Sequence, residues 1–300
     1  MPDPEKAAAG QAAPAGPITA SVIVPVFRQW DMVRDLIAGL GAQQPALPAS
    51  VEVILVNNGD MAETAGMVLP GWVRLLHCDQ PGSYAARNAG AVAASGGLLL
   101  FTDADCRPDP GWLAAHLAAF AADAARLLAG PVRMECGPRP TLWARYDRLR
   151  GIPQAAYVAR GYAATANLAV PRTIFRQLGG FSTAHMSGGD AEFCHRARAA
   201  GYGLDLVADA VVAHPCRDSG AETIRKSRRV KGGQLPQGRA ARLAWLGRSA
   251  LPPILTSGSI LRRPFGLGDR LAALLVVWLL WGVDLAEALR LVLGGRPERR

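Results

Sequence analysis

Two aspartates end an apolar run in this 300-residue chain: Leu98, Leu99, Leu100 and Phe101 give way, through Thr102, to Asp103, Ala104 and Asp105. Carboxylates at i and i+2 of an extended backbone project to the same side. Held that close they repel unless a cation or a shared proton lies between them, and hard oxygen donors suit Mg²⁺ or Mn²⁺. The spacing fits a divalent metal that holds a diphosphate; it also fits a pair of carboxylates that merely cap the turn after a strand. Upstream, GSYAARNAG (Gly82 to Gly90) reads as a Gly-Ser turn that opens a helix presenting Arg87 and Asn88. A helix N-terminus favours anions, and an arginine fork can grip phosphate oxygens. Asp190 follows Gly188 and Gly189 and starts a helical stretch with apolar Phe193, Ala197 and Ala200, so it is either an N-cap or a catalytic carboxylate. Glu192 is the other carboxylate there, but on a helix it points about 200° away from Asp190. His195 reads as a plain helix-face residue.

These residues need elements to position them, and the chain supplies an alternating pattern. Ser21 to Val26, Val51 to Val56, Val73 to His77 and Gly97 to Phe101 are short, β-branched or apolar runs. Helical stretches lie between or after them, at Trp30 to Gln44, Ser83 to Ala94 and Gly111 to Asp123. Such alternation predicts an α/β fold with a mostly parallel sheet flanked by helices. Ligands in open sheets of this kind sit beyond the carboxyl ends of the strands, where Asp103 and Asp105 fall. In the second half, Ala164 to Val170 and Val207 to His214 read as strands, Pro171 to Leu178 and Asp190 to Ala200 as helices, and Gly179 to Gly189 as a glycine-rich loop.

Taken in order, the motifs resemble the family 2 glycosyltransferases, nucleotide-sugar enzymes with the GT-A (Rossmann-like) fold. SVIVPVF resembles the family's first strand, VEVILVNNGD its second and GSYAARNAG its donor-side helix. FTDADC resembles its metal-binding DxD, SGGDAEFCHRARAAGY the acidic motif that carries the catalytic base, and VVAHPCR a following segment with a metal-contacting histidine. The resemblance covers residues 18–235. It implies that Asp105 binds Mn²⁺ or Mg²⁺, that Asp103 contacts the donor ribose or the metal, and that His214 completes the coordination. It further implies that Pro25, Val26, Asn57 and Asn58 line the nucleotide pocket with Arg87 and Asn88 on the donor side, and that Asp190 is the general base. Asn167 and Arg172 match a region that approaches the diphosphate and acceptor. One departure stands out: VNNGD carries amides where the family commonly has an aspartate, which changes the hydrogen-bonding options toward the nucleobase. The implied activity is an inverting, metal-dependent transfer from a nucleoside-diphosphate sugar, with UDP-sugars favoured, to a hydroxyl of a glycan or lipid-linked acceptor. The alternative is a catalytically idle module that binds nucleotide sugar or glycan as a scaffold. A nucleotidyltransferase would want a glycine-rich, basic loop after the first strand, and PVFRQWD has no glycine there.

Half of the residues are hydrophobic and 19% are charged, which excludes a disordered or fibrous chain. Residues 1–17, rich in Ala, Pro and Gly, read as a disordered leader with no secretory signal. Five cysteines (Cys78, Cys106, Cys136, Cys194, Cys216) without a CxxC spacing predict reduced thiols and a cytosolic compartment. Of the net charge of +9, the stretch from Arg217 to Arg248 holds nine Lys or Arg against Asp218 and Glu222. That stretch reads as either a solvated helix face or a contact for phosphates or anionic lipid; with no aromatics interleaved, nucleic acid is not an expected partner. Residues 236–300 form a C-terminal helical, apolar and basic appendage. Its uncharged run, Leu271 to Val283, has 13 residues, short of the roughly 20 that span a bilayer. Extended through Asp284, Glu287 and Arg290 it is amphipathic, which fits core packing or a helix lying on the cytoplasmic face of the membrane better than the third alternative, a true span.

Overall fold

The computed structural model describes residues 19–44, 50–185 and 187–297, so the leader at 1–17 lies outside the described residues. The strands β1 (Ala20–Val26), β2 (Val51–Asn57), β3 (Val73–His77) and β4 (Leu98–Thr102) pair in parallel in the order β3-β2-β1-β4. The helices α1 (Trp30–Gly41) and α2 (Ser83–Ala93) cover them. Period-2 alternation gives the sheet two buried faces. Val22, Val24, Leu55 and Leu100 pack on one side, with α1; Ile23, Ile54, Val56 and Phe101 pack on the other, with α2. Gly90 of α2 is required there, since a Cβ would lie 2.5 Å from Ile23.

Beyond β4 come β5 (Arg107–Pro108), α3 (Trp112–Ala122), β6 (Arg126–Ala129), β7 (Val132–Glu135), α4 (Leu142–Arg150) and α5 (Gln154–Val158). Then follow β8 (Asn167–Pro171), α6 (Arg172–Gln177), α7 (Gly189–Ala199), β9 (Gly203–Leu206) and β10 (Val212–Pro215). Among the described residues the main sheet continues as β4-β8-β6-β9, and β8 runs antiparallel to both neighbours. The expected strand from Val207 to His214 is strand only from Val212: β9 stops at Leu206, a turn takes up residues 207–211, and β10 joins a second sheet of order β5-β10-β7. Asn167 is the buried hub between the sheets. Its Oδ1 accepts from Trp112 Nε1 at 2.9 Å, and its Nδ2 donates to the carbonyls of Pro131 (3.0 Å) and Ala210 (2.7 Å).

The C-terminal part comprises α8 (Gly220–Gly233), α9 (Arg239–Ser249), α10 (Ile254–Leu261) and α11 (Leu267–Val292). A separate core of Tyr146, Leu149, Ile260, Ala273, Val276 and Leu280 joins α4, α10 and α11. Asp269 at the start of α11 accepts from Arg145 (3.1 Å) and Arg148 (2.6 Å) of α4. Cys136 and Cys216 are disulfide-bonded across 80 residues of sequence, so the expectation of reduced thiols fails for this pair and holds for Cys78, Cys106 and Cys194. No local motif announces a pair that far apart. It ties the end of β10 to the segment between β7 and α4.

Candidate active site

Because β1 to β4 are parallel, their carboxyl ends share one edge of the sheet, and the antiparallel β8 brings its amino end to the same edge, with Asn167 opposite Thr102. Four loops therefore converge there: those after Val26, Asn57 and Thr102, and the one before Asn167.

Asp105 sits where the chain turns from β4 into β5. The antiparallel pairing of β5 with β10, Arg107 opposite Ala213, brings His214 beside it. His214 Nε2 lies 3.6 Å from Asp105 Oδ2, and the donor atoms of Asp105, Cys106 and His214 all lie within 4.8 Å of one another. The imidazole is buried at 3% exposure, and its Nδ1 lies 2.8 Å from the carbonyl of Pro215. With Nδ1–H donating there, the Nε2 lone pair faces Asp105, the tautomer a metal ligand needs. Cys106 is buried, and burial together with Asp103 and Asp105 pushes its thiol pKa up, so it keeps its proton. The residues fit a divalent cation held by a carboxylate and an imidazole, with the neutral thiol as lining.

Arg87, expected to grip phosphate, has another role. Its side chain is 4% exposed and its guanidinium pairs with Asp103 Oδ1, while it also lies over the Tyr84 ring at 5.7 Å. It fixes the first carboxylate of the DxD from beneath. Tyr84, one turn before it on α2, donates to Asp190 Oδ1 at 3.2 Å. The Thr165 N–H donates to Asp190 Oδ2 at 3.3 Å, and the Ala191 N–H to Oδ1 at 2.9 Å. Asp190 thus lies in the first turn of α7 with its carboxylate held from three sides. Gly189 makes this possible, because a Cβ there would stand 2.8 Å from the Tyr84 ring. Burial and the charge of Asp190 raise the Tyr84 phenol above its ordinary range, so it stays a donor. Glu192 is engaged with Arg196, whose guanidinium also binds the carbonyls of Leu178 and Gly180. His195 stays a helix-face residue with its ring 6.0 Å from that of Tyr162.

Val26 and Pro25 end β1 as expected, and the Val26 carbonyl accepts from the Asn58 N–H at 2.8 Å. The two amides of VNNGD are used by the backbone, Asn57 within its own loop and Asn58 across to the segment between β3 and α2. Asn57 Nδ2 donates to the Asp60 carbonyl at 2.9 Å, and its Oδ1 accepts from the Gly59 N–H at 2.9 Å. Asn58 donates to the carbonyls of Cys78 and Gln80, both at 2.8 Å, and accepts from the Gly82 N–H at 2.8 Å. A carboxylate could not donate those two bonds, which explains an amide at Asn58. Asn88 likewise exchanges two hydrogen bonds with the backbone of Phe181, at 2.8 and 2.9 Å, and so tethers α2 to the glycine-rich loop. Asn167 is the core hub already described. Arg172 lies at the opposite end of β8, beside Leu98, bonded to the Ala94 carbonyl. The antiparallel run of β8 carries Arg172 to the far end of the sheet, whereas Asn167, at the crevice end, turns its amide into the core.

Sequence reasoning did not find Tyr84 as the partner of Asp190, nor the basic groups behind the site. Lys226 and Arg229 of α8 are partly buried, and Arg229 feels the charges of Tyr84 and Asp103. The signal was the basic stretch from Arg217 onward, whose inward side could not be told from its solvated one.

Residues 21–188 match the family described as Glycosyl transferase family 2. The glycosyltransferase AglE of Haloferax volcanii is 31% identical over 223 residues, 72% of either chain. The pre-mycofactocin glycosyltransferase of Mycobacterium tuberculosis is 28% identical over 300 residues, 92% of this chain, which spans 60% of that relative's length. Among solved structures, the mannosyltransferase PcManGT of Pyrobaculum calidifontis, in complex with GDP-Man and Mn²⁺, superposes with a TM-score of 0.55 at 19% identity, over 92% of this chain and 88% of that one. GalNAc-T7 with UDP, GalNAc and Mn²⁺ does so with a TM-score of 0.54 at 18% identity, over 67% of this chain and 44% of that one. Both share the fold.

Proposed function

The chain belongs to glycosyl transferase family 2, and we propose that it transfers a sugar from a nucleoside-diphosphate donor, with inversion, to a hydroxyl of a glycan or lipid-linked acceptor. One observation carries the reading: an unbroken series of contacts from Asp190 through Tyr84 and Arg87 to Asp103, and two residues on from Asp105 to His214. A base and a cation site on one framework are what displacement at an anomeric carbon requires.

Asp105 and His214 would hold the cation; when bound, it offsets the negative charge that builds on the departing diphosphate. The solved neighbours that carry Mn²⁺ support this choice. Asp190 takes the proton of the acceptor hydroxyl as its oxygen bonds to the anomeric carbon. The bond from that carbon to the diphosphate oxygen breaks, and the electron pair leaves with the nucleoside diphosphate. Attack on the face opposite the leaving group inverts the centre. Tyr84 and the Thr165 N–H keep the carboxylate aimed, and Arg87 keeps Asp103 fixed where the donor's ribose or the cation meets it. The exposed apolar side of α11 supports a peripheral position on a membrane.

The test is thermal stability in the presence of UDP, GDP, dTDP or CDP, with and without Mn²⁺, for the parent and Asp105→Ala. A ligand at a hundredfold excess over its Kd stabilises by about 2.7 kcal/mol. Stabilisation by one nucleotide, dependent on Mn²⁺ and on Asp105, is expected. Stabilisation by none would leave the scaffold reading in its place.

A further inference from the structure

A cavity of about 310 Å³ lies between α4, α8, α10 and α11, at the low end of small-ligand sites, which run from roughly 300 to 1,000 Å³. Its walls are of two kinds. The charged lining is Arg150, Lys226 and Lys231 with two carboxylates already engaged, Asp147 by Arg217 and Asp284 by Ser227; the apolar lining is Pro253, Val277, Leu280 and Trp281. Lys226 makes no hydrogen bond or ion pair among the described residues, and it is surrounded by Arg150, Arg217 and Arg229, with Asp147 as the counter-charge. Asp147 is already engaged with the N–H and guanidinium of Arg217. Two buried donors nearby, Trp281 Nε1 and Arg229 Nε, have no partner among the described residues. Unmatched cations and unpartnered N–H groups around a cavity call for an anion, and a phosphate monoester, with two charges and several acceptor oxygens, answers both.

The helices that line the cavity face the active centre on one side and an apolar surface on the other. Arg229, one turn along α8 from Lys226, is within electrostatic reach of Tyr84 and Asp103. On the far side Trp281 meets Trp278 edge-on at 5.7 Å, and Trp278 is 41% exposed. Trp278 belongs to a stripe of Leu267, Leu271, Leu275, Leu279, Leu289 and Leu293, all exposed. At 100° per residue these positions fall within an arc of about 120°. The carboxylates Asp269, Asp284 and Glu287 occupy the opposite side, where they bond Arg145 and Arg148, Ser227 and Arg290. A helix that turns its acids inward and an uncharged leucine stripe outward, with exposed Arg262 and half-buried Arg263 and Arg270 at one end, matches an anionic bilayer surface.

We propose that this cavity seats the phosphate of a membrane-lipid phosphate, with the outer stripe of α11 lying on the bilayer that supplies it. Read with the function proposed above, on which this part rests, the lipid phosphate is the anchor of the acceptor and Arg229 marks the side from which the acceptor reaches Asp190.

The experiment is vesicle flotation of the full chain with phosphatidylcholine vesicles carrying a long-chain alkyl monophosphate, against vesicles carrying phosphatidylglycerol at matched surface charge. The parent is expected to prefer the monophosphate by about tenfold, the worth of a hydrogen bond to a charged group. Lys226→Met should lose that preference, and Leu275→Ser with Leu279→Ser should lose binding to both vesicles. Removing an unmatched buried charge does not endanger folding, and nucleotide-dependent stabilisation of each variant reports an intact donor side. Equal binding to both vesicles would reduce the surface to ordinary charge attraction, and a preference that survives Lys226→Met would empty the cavity of its role; either overturns the proposal. So would soluble inorganic phosphate protecting Lys226-dependent stability as well as vesicles do, or a dimer that Leu275→Ser with Leu279→Ser dissociates while the parent ignores vesicles. If nucleotides fail to stabilise but the monophosphate preference holds, the transferase reading fails and the lipid site stands.

Discussion

Asp190 and Arg87 do different work although both lie along the same crevice. Asp190 is held by three donors, and Asp190→Asn preserves its shape while removing the carboxylate proposed above as the proton acceptor. Turnover should fall by roughly 10² to 10⁴ while nucleotide affinity stays near the parent value, measured by initial rates beside a binding titration. Arg87 is buried under Asp103, and replacing it by Ala removes the buried guanidinium that this carboxylate is paired with. A loss of about 2–3 kcal/mol in denaturant unfolding is expected, below the range for a fully buried pair because Asp103 is 34% exposed. The two carboxylate motifs were legible in sequence because each is a short signature at an element end. The arrangement that gives them roles was not: Tyr84 and Asp190 are 106 positions apart, and nothing local in GSYAARNAG distinguishes a phosphate-gripping arginine from one turned under an aspartate.

At the scale of elements, α8 separates two sides of a basic run that looks uniform as letters. Arg225 and Arg228 are exposed, whereas Lys226 is pushed down from its ordinary 10.5 to about 7 by burial first and by Arg217 and Arg150 next. Between those two values the unfolded chain binds a proton the folded chain has released, so the amine lowers stability fully below pH 7 and stops doing so as pH passes 10.5. Lys226→Met should therefore stabilise the fold at pH 6 by an amount on the order of a few kcal/mol, read as a higher midpoint of thermal unfolding, and the gain should shrink steadily toward pH 10. The alternating strands were readable because apolar runs buried on both faces have few other solutions. Strands β6, β7 and β9 are four residues each, too short for periodicity to show, and the reversal of β8 depends on partners rather than on its own residues.

For the molecule as a whole, the Cys136–Cys216 bond closes a loop of 80 residues that contains β8, α7 and all of β10. Cross-linking a loop that long restricts the unfolded chain, typically by about 2–4 kcal/mol. Reduction should lower the unfolding midpoint by several degrees in calorimetry, and Cys136→Ser should reproduce the shift without added reductant. Among the described residues four cores hold the fold: one on each face of the sheet, and two that no strand pattern announces, one of α4, α10 and α11 and a small one of Trp245, Ala288 and Leu291 between α9 and α11. The apolar segment near the C-terminus was visible from its letters, but which of its sides is covered is decided by Asp269, Ser227 and the residues of α4.

That inward placement of acids on α11 bears on how the protein can be handled. Trimming the greasy tail, the usual route to a well-behaved catalytic fragment, would strip Arg145 and Arg148 of Asp269 and uncover Tyr146, Leu149 and Ile260. A shortened chain would exchange an exposed leucine stripe for an open core and precipitate for a different reason. The productive edit keeps the backbone to residue 292 and repaints Leu271, Leu275 and Leu279 with serine or glutamine, giving a detergent-free enzyme whose interior is untouched.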